Sequence, residues 1–238
     1  SATYRQSSSA TPELLVRDQA NLLLARGPRH RLDAEIVRDN ALAVSGLLVE
    51  KIGGPSVFPY HPKGLWQELN NRPNYSRTYK QDKGEKLYRR SLYTYWKRTV
   101  PPPSMATFDA PEREFCLVRR SRTNTPLQAF VMLHDPQFVE AARHLAERMM
   151  SASDNPDGCI EHGFRLATSR LPNNKEKVVL HRLFRERLLF YRKDKKAAKA
   201  VLSVGESIRK VTLSEPEQAA WTTVARALLN LSETISKN

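Results

Sequence analysis

The placement of proline restricts the fold of this chain more than any other sequence feature. The chain has fifteen prolines against nine glycines, and many of the prolines lie between residues 55 and 111. Proline lacks a backbone N–H and has a fixed φ, so it interrupts helices and central strands. The sequence therefore predicts a long irregular region over residues 53–118, between N-terminal helices in residues 1–52 and a C-terminal helical part in residues 119–238.

Apolar residues outside this region recur at helical spacing. In LDAEIVRDNALAVSGLLVEKI (32–52), Asp33 is the expected N-cap and Gly53 the expected stop. A long basic helix is predicted over 175–202, and the last helix is predicted in AAWTTVARALLNLSETI. The predicted inward faces are Ile36, Ala41, Val44, Leu47, Leu48 and Ile52; then Val179, Leu183, Phe184 and Leu188 with Phe190 or Tyr191; then Trp221, Val224, Leu228 and Leu231.

We predict three helix N-termini at pairs of residues in which a capping side chain is followed by proline. They are Thr11-Pro12, Thr125-Pro126 and Asp135-Pro136. The helix after Asp135 is expected to bury Phe138, Ala142, Leu145 and Met149. The predicted fold class is mainly α, as one helical domain over residues 1–238 that forms part of a larger multidomain protein.

The irregular region needs packing of its own, because a loop of this length inside a compact domain is functional or held by its own side chains. Its aromatic residues can supply that packing: Tyr60, Trp66, Tyr75 and Tyr79. The segment LYRRSLYTYWKRTV (87–100) favours a helix in its first half, with Leu92, Tyr95 and Trp96 inward. A strand, with Tyr93, Tyr95 and Lys97 on one face, is the alternative.

Positive charge indicates the class of partner. The formal net charge is +14, and residues 175–210 hold twelve Lys/Arg against four acids, while residues 76–98 hold eight against two. Such a surface attracts polyanions, whether nucleic acid, anionic lipid or acidic polysaccharide. Nucleic acid is the least favoured of these, because no recognised nucleic-acid-binding module is present.

Cysteine usage and hydropathy exclude several kinds of site. Cys116 and Cys159 lie in neither a CxxC nor a CxxCH context, so neither a metal site nor a haem attachment site is predicted in this chain. Whether the two cysteines form a disulfide stays open. No apolar run approaches the roughly 18 to 20 residues of a membrane span, and no secretory signal segment is visible.

The best candidate site lies between residues 119 and 138, where cationic, polar and core-forming residues meet. Arg119, Arg120 and Arg122 can form a fork for sulfate, carboxylate or phosphate, because guanidinium recognises these groups bidentately. Asn124 and Gln128 can orient the ligand. The alternative is structural: the arginines pair with Asp109, Glu112 and Glu114, and Asn124 caps or bridges the turn before Pro126.

A second candidate group is aromatic. Arg90, Tyr93 and Trp96, beside Tyr95, can stack on sugar rings or bases, because flat faces next to cations suit both. The alternative is that these residues pin the irregular region to the core. A ligand held between this group and the Arg119 segment is the combined prediction.

Three further patterns carry weaker predictions. His134 next to Asp135 has the composition of a catalytic dyad, but Asp135 is also a helix cap. Asp109, Glu112 and Glu114 have the composition of an acid/base pair for glycoside hydrolysis, with salt bridges as the alternative. The basic helix at 175–202 can dock on a polyanion or an acidic domain, or simply be solvated.

Several long blocks resemble one family. They are LYRRSLYTYWKRTVPPPSMATFDAPERE, RRSRTNTPLQAFVMLHDPQFVEAARHLAERM and WTTVARALLNLSET, with SATYRQSS and RLDAEIVRDNALAVSGLLVEKIGGPSV before them. Together they resemble the planctomycete-type domain of unknown function 1553. The resemblance implies an extracytoplasmic setting, upstream domains of the same polypeptide as partners, and often a c-type cytochrome domain elsewhere, which would hold any haem c. It supplies no catalytic residues.

The function expected from these patterns is a non-catalytic helical module that supports or binds for a neighbouring domain. Its expected ligand is an acidic or sulfated glycan, or an acidic partner surface. The alternative is part of an enzyme, hydrolytic or redox-linked, whose active site is completed by upstream domains.

Overall fold

The computed structural model describes residues 2, 5–69, 77–209 and 214–237. Helices dominate this part of the chain, and the prediction of a mainly α fold is confirmed. The elements in chain order are α1 (Pro12–Arg17), β1 (His30–Arg31), α2 (Ala34–Ser45), α3 (Leu65–Leu69), α4 (Pro103–Thr107), α5 (Pro126–His134), α6 (Pro136–Ala152), α7 (Pro156–Thr168), α8 (Asn174–Lys193), α9 (Lys195–Leu202), α10 (Glu215–Leu229), α11 (Ser232–Ile235) and β2 (Ser236–Lys237).

Helix α6 lies at the centre of the core. It packs against α2, α7 and α10, and the predicted inward residues Phe138, Ala142, Leu145 and Met149 are all buried. Three of the four predicted inward residues of the last helix, Trp221, Val224 and Leu228, are buried in α10, whereas Leu231 lies beyond the end of α10 and is only partly buried. The Trp221 ring stacks on Phe184 of α8 with ring centroids 4.0 Å apart.

The three predicted helix starts are all present. Thr11 caps α1, and the Asp135 carboxylate accepts the backbone N–H of Gln137 at 3.0 Å at the start of α6. Helix α5 starts at Pro126 with Thr125 as its N-cap, and Gln128 Oε1 accepts the Thr125 N–H at 3.4 Å. The capping residues in the sequence therefore determine where these three helices begin.

Helix α2 is shorter than predicted. It ends at Ser45, because Gly46 adopts the left-handed conformation with φ of 80° and turns the chain. The prediction that Gly53 stops this helix is wrong. Ile52 lies beyond the end of α2 and is 92% exposed, and Ile36, on the solvent side of α2, is 50% exposed, so both are wrongly predicted to face inward.

The segment 87–100 contains no α-helix. It contains the end of one 3₁₀ turn, Gly84–Tyr88, and the whole of a second, Ser91–Tyr93, followed by extended chain. The buried Arg38 of α2 donates to the carbonyls of Leu87 and Arg89, each at 2.7 Å, so these groups bond across the fold and not along a helix. Leu92, predicted to face inward, is 70% exposed.

Aromatic contacts hold the irregular region, as its composition suggests. Phe58 stacks on Tyr95 at 4.7 Å, and Tyr79 lies 4.4 Å from His61 and 5.1 Å from Trp66. Tyr75, which was also expected to contribute, lies outside the described residues.

The predicted basic helix over 175–202 is two helices. The Asp194 carboxylate accepts the backbone N–H of Ala197 at 2.9 Å and starts α9, so α8 ends at Lys193. Leu180, Phe184 and Tyr191 form the buried stripe of α8. The predicted stripe is partly wrong, because Val179 is 53% exposed.

Candidate functional site

The 119–129 segment forms the first wall of an open cavity of about 540 Å³, which we call the arginine cavity. A second wall comes from β1 and the residue before it, and a third from the segment after α10. Strands β1 and β2 pair antiparallel, with His30 opposite Lys237 and Arg31 opposite Ser236, and this pairing joins the second and third walls. The lining residues are Arg29, His30, Arg31, Arg119, Arg122, Thr123, Asn124, Gln128, Ala129, Asn230, Ser232, Ile235 and Ser236.

Arg31 fixes the position of the first wall relative to the second. Its guanidinium donates to the Thr123 carbonyl at 2.8 Å, to the Phe108 carbonyl at 3.1 Å and to the Asp109 carboxylate at 2.5 Å. Asp109 in turn accepts the Thr123 N–H at 2.8 Å. Arg31 is therefore a support for the cavity, because its donors are directed at the protein.

Burial alone would raise the pKa of Asp109. Hydrogen bonds from the Thr123 N–H and hydroxyl and the nearby Arg31 guanidinium outweigh that effect, and the pKa of Asp109 lies below its usual value. The carboxylate therefore stays ionised at neutral pH while it is surrounded by donors.

Gln128 is a second support. It is buried, and its amide nitrogen donates to the Thr107 carbonyl and to the Thr123 hydroxyl, each at 3.0 Å. Its amide oxygen accepts from the N–H of Thr125. Gln128 therefore positions the wall that carries Arg119 and Arg122, and its role in orienting a ligand stays a prediction.

Arg119 and Arg122 are exposed cations on the first wall of the cavity. Within the described chain Arg119 has no carboxylate partner, and Arg122 lies 3.9 Å from Asp33, near the limit of an ion pair. Arg29 donates to the Ser232 hydroxyl at 3.1 Å. The lining contains four arginines and neither Asp nor Glu among the residues described.

The histidine and the amide in the lining add to this character. Burial lowers the pKa of His30, and the neighbouring charges of Arg122 and Lys237 lower it further, so the imidazole is neutral at pH 7. Asn124 is exposed and lines the cavity, while Thr125 caps the following helix. The helix N-cap is therefore Thr125, as the Thr125-Pro126 pair predicted, and not Asn124.

Arg120 lies outside the cavity lining. It donates to the Glu35 carboxylate at 2.8 Å and lies 3.7 Å from Asp33, both at the start of α2. The alternative in which the arginines pair with Asp109, Glu112 and Glu114 is wrong in its partners. Arg120 instead ties the arginine segment to α2.

The aromatic candidates are placed elsewhere. Tyr93 accepts the Gly53 N–H at 2.8 Å, and the Arg89 guanidinium covers its ring at 3.8 Å. Trp96 donates to the Glu112 carbonyl at 3.3 Å, and Arg113 lies over its ring at 4.7 Å. Arg90 lies 3.6 Å from Asp39. None of the three lines the arginine cavity, so this cavity does not bring the aromatic group and the Arg119 segment together around one ligand.

The residues of the predicted catalytic patterns make structural contacts with other side chains and with the backbone. Asp135 caps α6, and the His134 ring lies 4.3 Å from Phe130. Asp109 is bound by Arg31 and Thr123, and Glu114 lies 4.0 Å from Arg98. The two cysteines are free, with Cys116 exposed and Cys159 buried.

A buried polar cluster on α6 was missed in the sequence. Glu140, Arg143 and Glu147 of α6 are each at most 3% exposed. Glu140 accepts from the hydroxyls of Tyr60 at 2.8 Å and Tyr88 at 2.9 Å, and Gln218 donates to Glu147 at 2.7 Å. Three ionisable side chains at i, i+3 and i+7 on a helix with apolar neighbours are the signal that could have revealed it.

Ser207 connects this cluster to the loop after α9. Its hydroxyl lies 2.5 Å from Glu140, 2.6 Å from Arg143 and 2.7 Å from Nε2 of His144. A serine beside a histidine has the composition of a nucleophile and base, but here the hydroxyl is surrounded by three strong partners. Through these contacts Ser207 holds the loop after α9 against α6.

Most of the chain matches one protein family. Residues 1–184 match the family PSD1, "Protein of unknown function (DUF1553)". The chain belongs to this family. The PSD1 match includes the first wall of the arginine cavity and β1, while the third wall lies beyond residue 184. No curated protein and no solved structure matches the chain.

Two further properties hold for the described residues of this PSD1 chain. No helix among them combines the length and apolar character needed to cross a membrane. No group of three or more His, Cys, Asp and Glu side chains in the same residues has the arrangement of a metal site.

Proposed function

We propose that this chain is a non-catalytic helical binding module of a larger extracytoplasmic protein, and that the arginine cavity binds an anionic group of an acidic or sulfated glycan. The observation that carries the proposal is the cavity lining, in which Arg29, Arg119 and Arg122 are exposed and no carboxylate is present among the described residues. The extracytoplasmic setting rests on the resemblance to the planctomycete-type family.

The chemistry of the lining supports an oxyanion. Guanidinium groups donate in a planar fork that matches carboxylate and sulfate, and Arg119 and Arg122 present theirs from one wall. Asn124 on that wall, with Ser232 and Ser236 on the third, adds neutral groups of the kind that bond sugar hydroxyls.

The size and rigidity of the cavity support a small polar group. Its volume of about 540 Å³ is within the usual range of ligand sites. Arg31 and Gln128 hold the first wall through bonds to Thr123, so little ordering is required when a ligand binds.

Calorimetric titration of the protein with glucose 6-sulfate, galacturonate and glucose tests the proposal. We expect the two anionic sugars to bind and glucose to give no signal. Arg119→Ala and Arg122→Ala should each weaken binding by about tenfold or more, because a hydrogen bond to a charged group contributes roughly 1.5–3 kcal/mol.

Arg182→Ala is the matched control. It removes one positive charge from α8, where the Arg182 side chain is 73% exposed and outside the lining. We expect this variant to bind like the unmodified protein. Equal affinity for glucose and its sulfate, or an equal loss in Arg182→Ala and Arg119→Ala, would contradict the proposal.

The alternative of a partial enzyme draws on residues that are otherwise engaged. Its first candidates, Asp109 and His134, contact Arg31 and Phe130 respectively. Its second arrangement, Ser207 with His144, is bonded into the α6 cluster. The binding module is the function that the geometry supports better.

A further inference from the structure

The outer face of α8 is a second feature, independent of the arginine cavity. On a helix, residues 178, 182, 185 and 189 are spaced by four, three and four positions, so their side chains share one face. The buried residues Leu180, Phe184 and Tyr191 each lie two positions after Val178, Arg182 and Leu189, or about 200° around the helix. The Val178 to Leu189 stripe therefore faces directly away from the core.

This face combines large apolar side chains with cations. Val178 is 68% and Leu189 is 59% exposed, and Val179 and Phe190 on one flank are 53% and 45% exposed. Arg182 and Arg185 lie between them, and Lys175, Arg192 and Lys193 are exposed at the two ends. Only Glu176 and Glu186 on α8 are acidic, and Glu176 is paired with Arg170 at 2.7 Å.

We propose that the outer face of α8 binds the surface of an anionic lipid bilayer, peripherally and without crossing it. Interfacial helices bury apolar side chains at the level of the lipid headgroups while lysine and arginine contact the anionic headgroups. The Val178 to Leu189 stripe presents both kinds of side chain towards one plane.

Other binding partners account for only some of the side chains exposed on this face. A polyanionic glycan would contact the cations and leave the exposed valines and leucine without a partner. A second copy of the chain would bring two faces of the same charge together, with seven Lys/Arg and two acids on each α8. An anionic bilayer complements both the charge and the apolar side chains.

Cosedimentation with large vesicles tests the proposal. The whole protein is mixed with vesicles of phosphatidylcholine alone, or of phosphatidylcholine with one third phosphatidylglycerol. We expect binding to the anionic vesicles only. Arg182→Glu with Arg185→Glu should reduce the partition coefficient at least about tenfold, because each basic residue near such a surface contributes severalfold to binding.

The apolar contribution distinguishes lipid from other polyanions. Val178→Ser with Leu189→Ser keeps every charge, and we expect it to reduce vesicle binding severalfold while retention on heparin stays unchanged. Val178, Arg182, Arg185 and Leu189 are all exposed. Circular dichroism should therefore show an unchanged helical content in the glutamate and the serine double variants.

Two controls separate this face from general charge and from the arginine cavity. Lys51→Glu with Lys63→Glu makes the same change in net charge at exposed sites elsewhere and should keep vesicle binding nearly unchanged. Arg119→Ala should do so too. Absence of binding to anionic vesicles, or full binding by Val178→Ser with Leu189→Ser, would overturn the proposal.

Discussion

Nη2 of Arg31 lies 2.5 Å from the carboxylate of Asp109, and both side chains are largely buried, with 7% and 16% exposed. This pair joins β1 to the segment before the arginine cavity. Asp109 also accepts hydrogen bonds from the N–H and the hydroxyl of Thr123. One carboxylate therefore fixes the position of the 119–129 wall relative to the β1 wall.

Asp109→Asn should lower the free energy of unfolding at pH 7 by about 2–4 kcal/mol, because it leaves the Arg31 charge without its partner. Urea denaturation measures this change. Glu112→Gln is the control, since the Glu112 side chain is exposed and its carbonyl makes the bond to Trp96. A loss of similar size in both variants would contradict the assignment.

The pH dependence of unfolding gives a separate prediction. The folded pKa of Asp109 is lowered, so its stabilisation is present above the unfolded pKa of about 3.9 and is lost as the pH falls through the folded value. The unmodified protein should therefore lose more stability than Asp109→Asn between pH 5 and pH 2. Parallel curves for the two proteins would show that Asp109 is not preferentially ionised in the fold.

Gly205→Ala should be strongly destabilising. A Cβ at this position would lie 2.2 Å from the side-chain carboxyl carbon of Glu140, and φ at Gly205 is 93°. Gly53→Ala is the matched control, because φ is 78° and the new Cβ has no neighbour within 4 Å. Backbone strain of about 1 kcal/mol is common to both, so thermal or urea unfolding should show an extra loss of about 2 kcal/mol or more for Gly205→Ala.

Arg119 and Arg120 are adjacent but should respond oppositely to substitution. Arg120→Ala removes a part-exposed ion pair with Glu35 and should cost about 0.5–1 kcal/mol of stability, while affinity for glucose 6-sulfate is retained. Arg119→Ala should change stability by less than about 0.5 kcal/mol and weaken binding. Identical effects in the two variants would contradict the separation of their roles.

The thiols should differ in reactivity. Cys116 is exposed, whereas Cys159 is buried, donates to the Ser153 carbonyl at 3.1 Å and has its pKa raised by burial to about 11. Ellman's reagent at pH 8 should therefore titrate one thiol per folded chain and two in denaturant. Two rapidly reacting thiols in the folded protein, or none in denaturant, would contradict this result.

Local chemistry in the sequence predicted the helix starts well. Thr125-Pro126 and Asp135-Pro136 each contain both the cap and the residue that favours the first turn, and the structure uses them directly. The end of α2 was harder, because a glycine such as Gly46 can pack inside a helix or end it. Its conformation depends on where the next residues of the chain pack.

Long-range contacts account for the features that the sequence did not predict. The 87–93 segment has the periodicity of a helix, but its carbonyls bond to Arg38, about fifty positions earlier in the chain. Four predicted site residues that line the cavity, Arg119, Arg122, Asn124 and Gln128, share one short segment and could be found together. Arg29 and Ser232, on the other walls, had no local pattern that linked them to it.

The β1–β2 pairing constrains the order of assembly during synthesis. The cationic walls, including Arg31 and Arg122, are made well before Ser232 and Ser236, and the pairing of Arg31 with Ser236 must wait for the latter to leave the ribosome. A nascent chain that has reached only α10 therefore contains the four arginines but lacks the third wall. The arginine cavity is completed only after Ser236 has been synthesised.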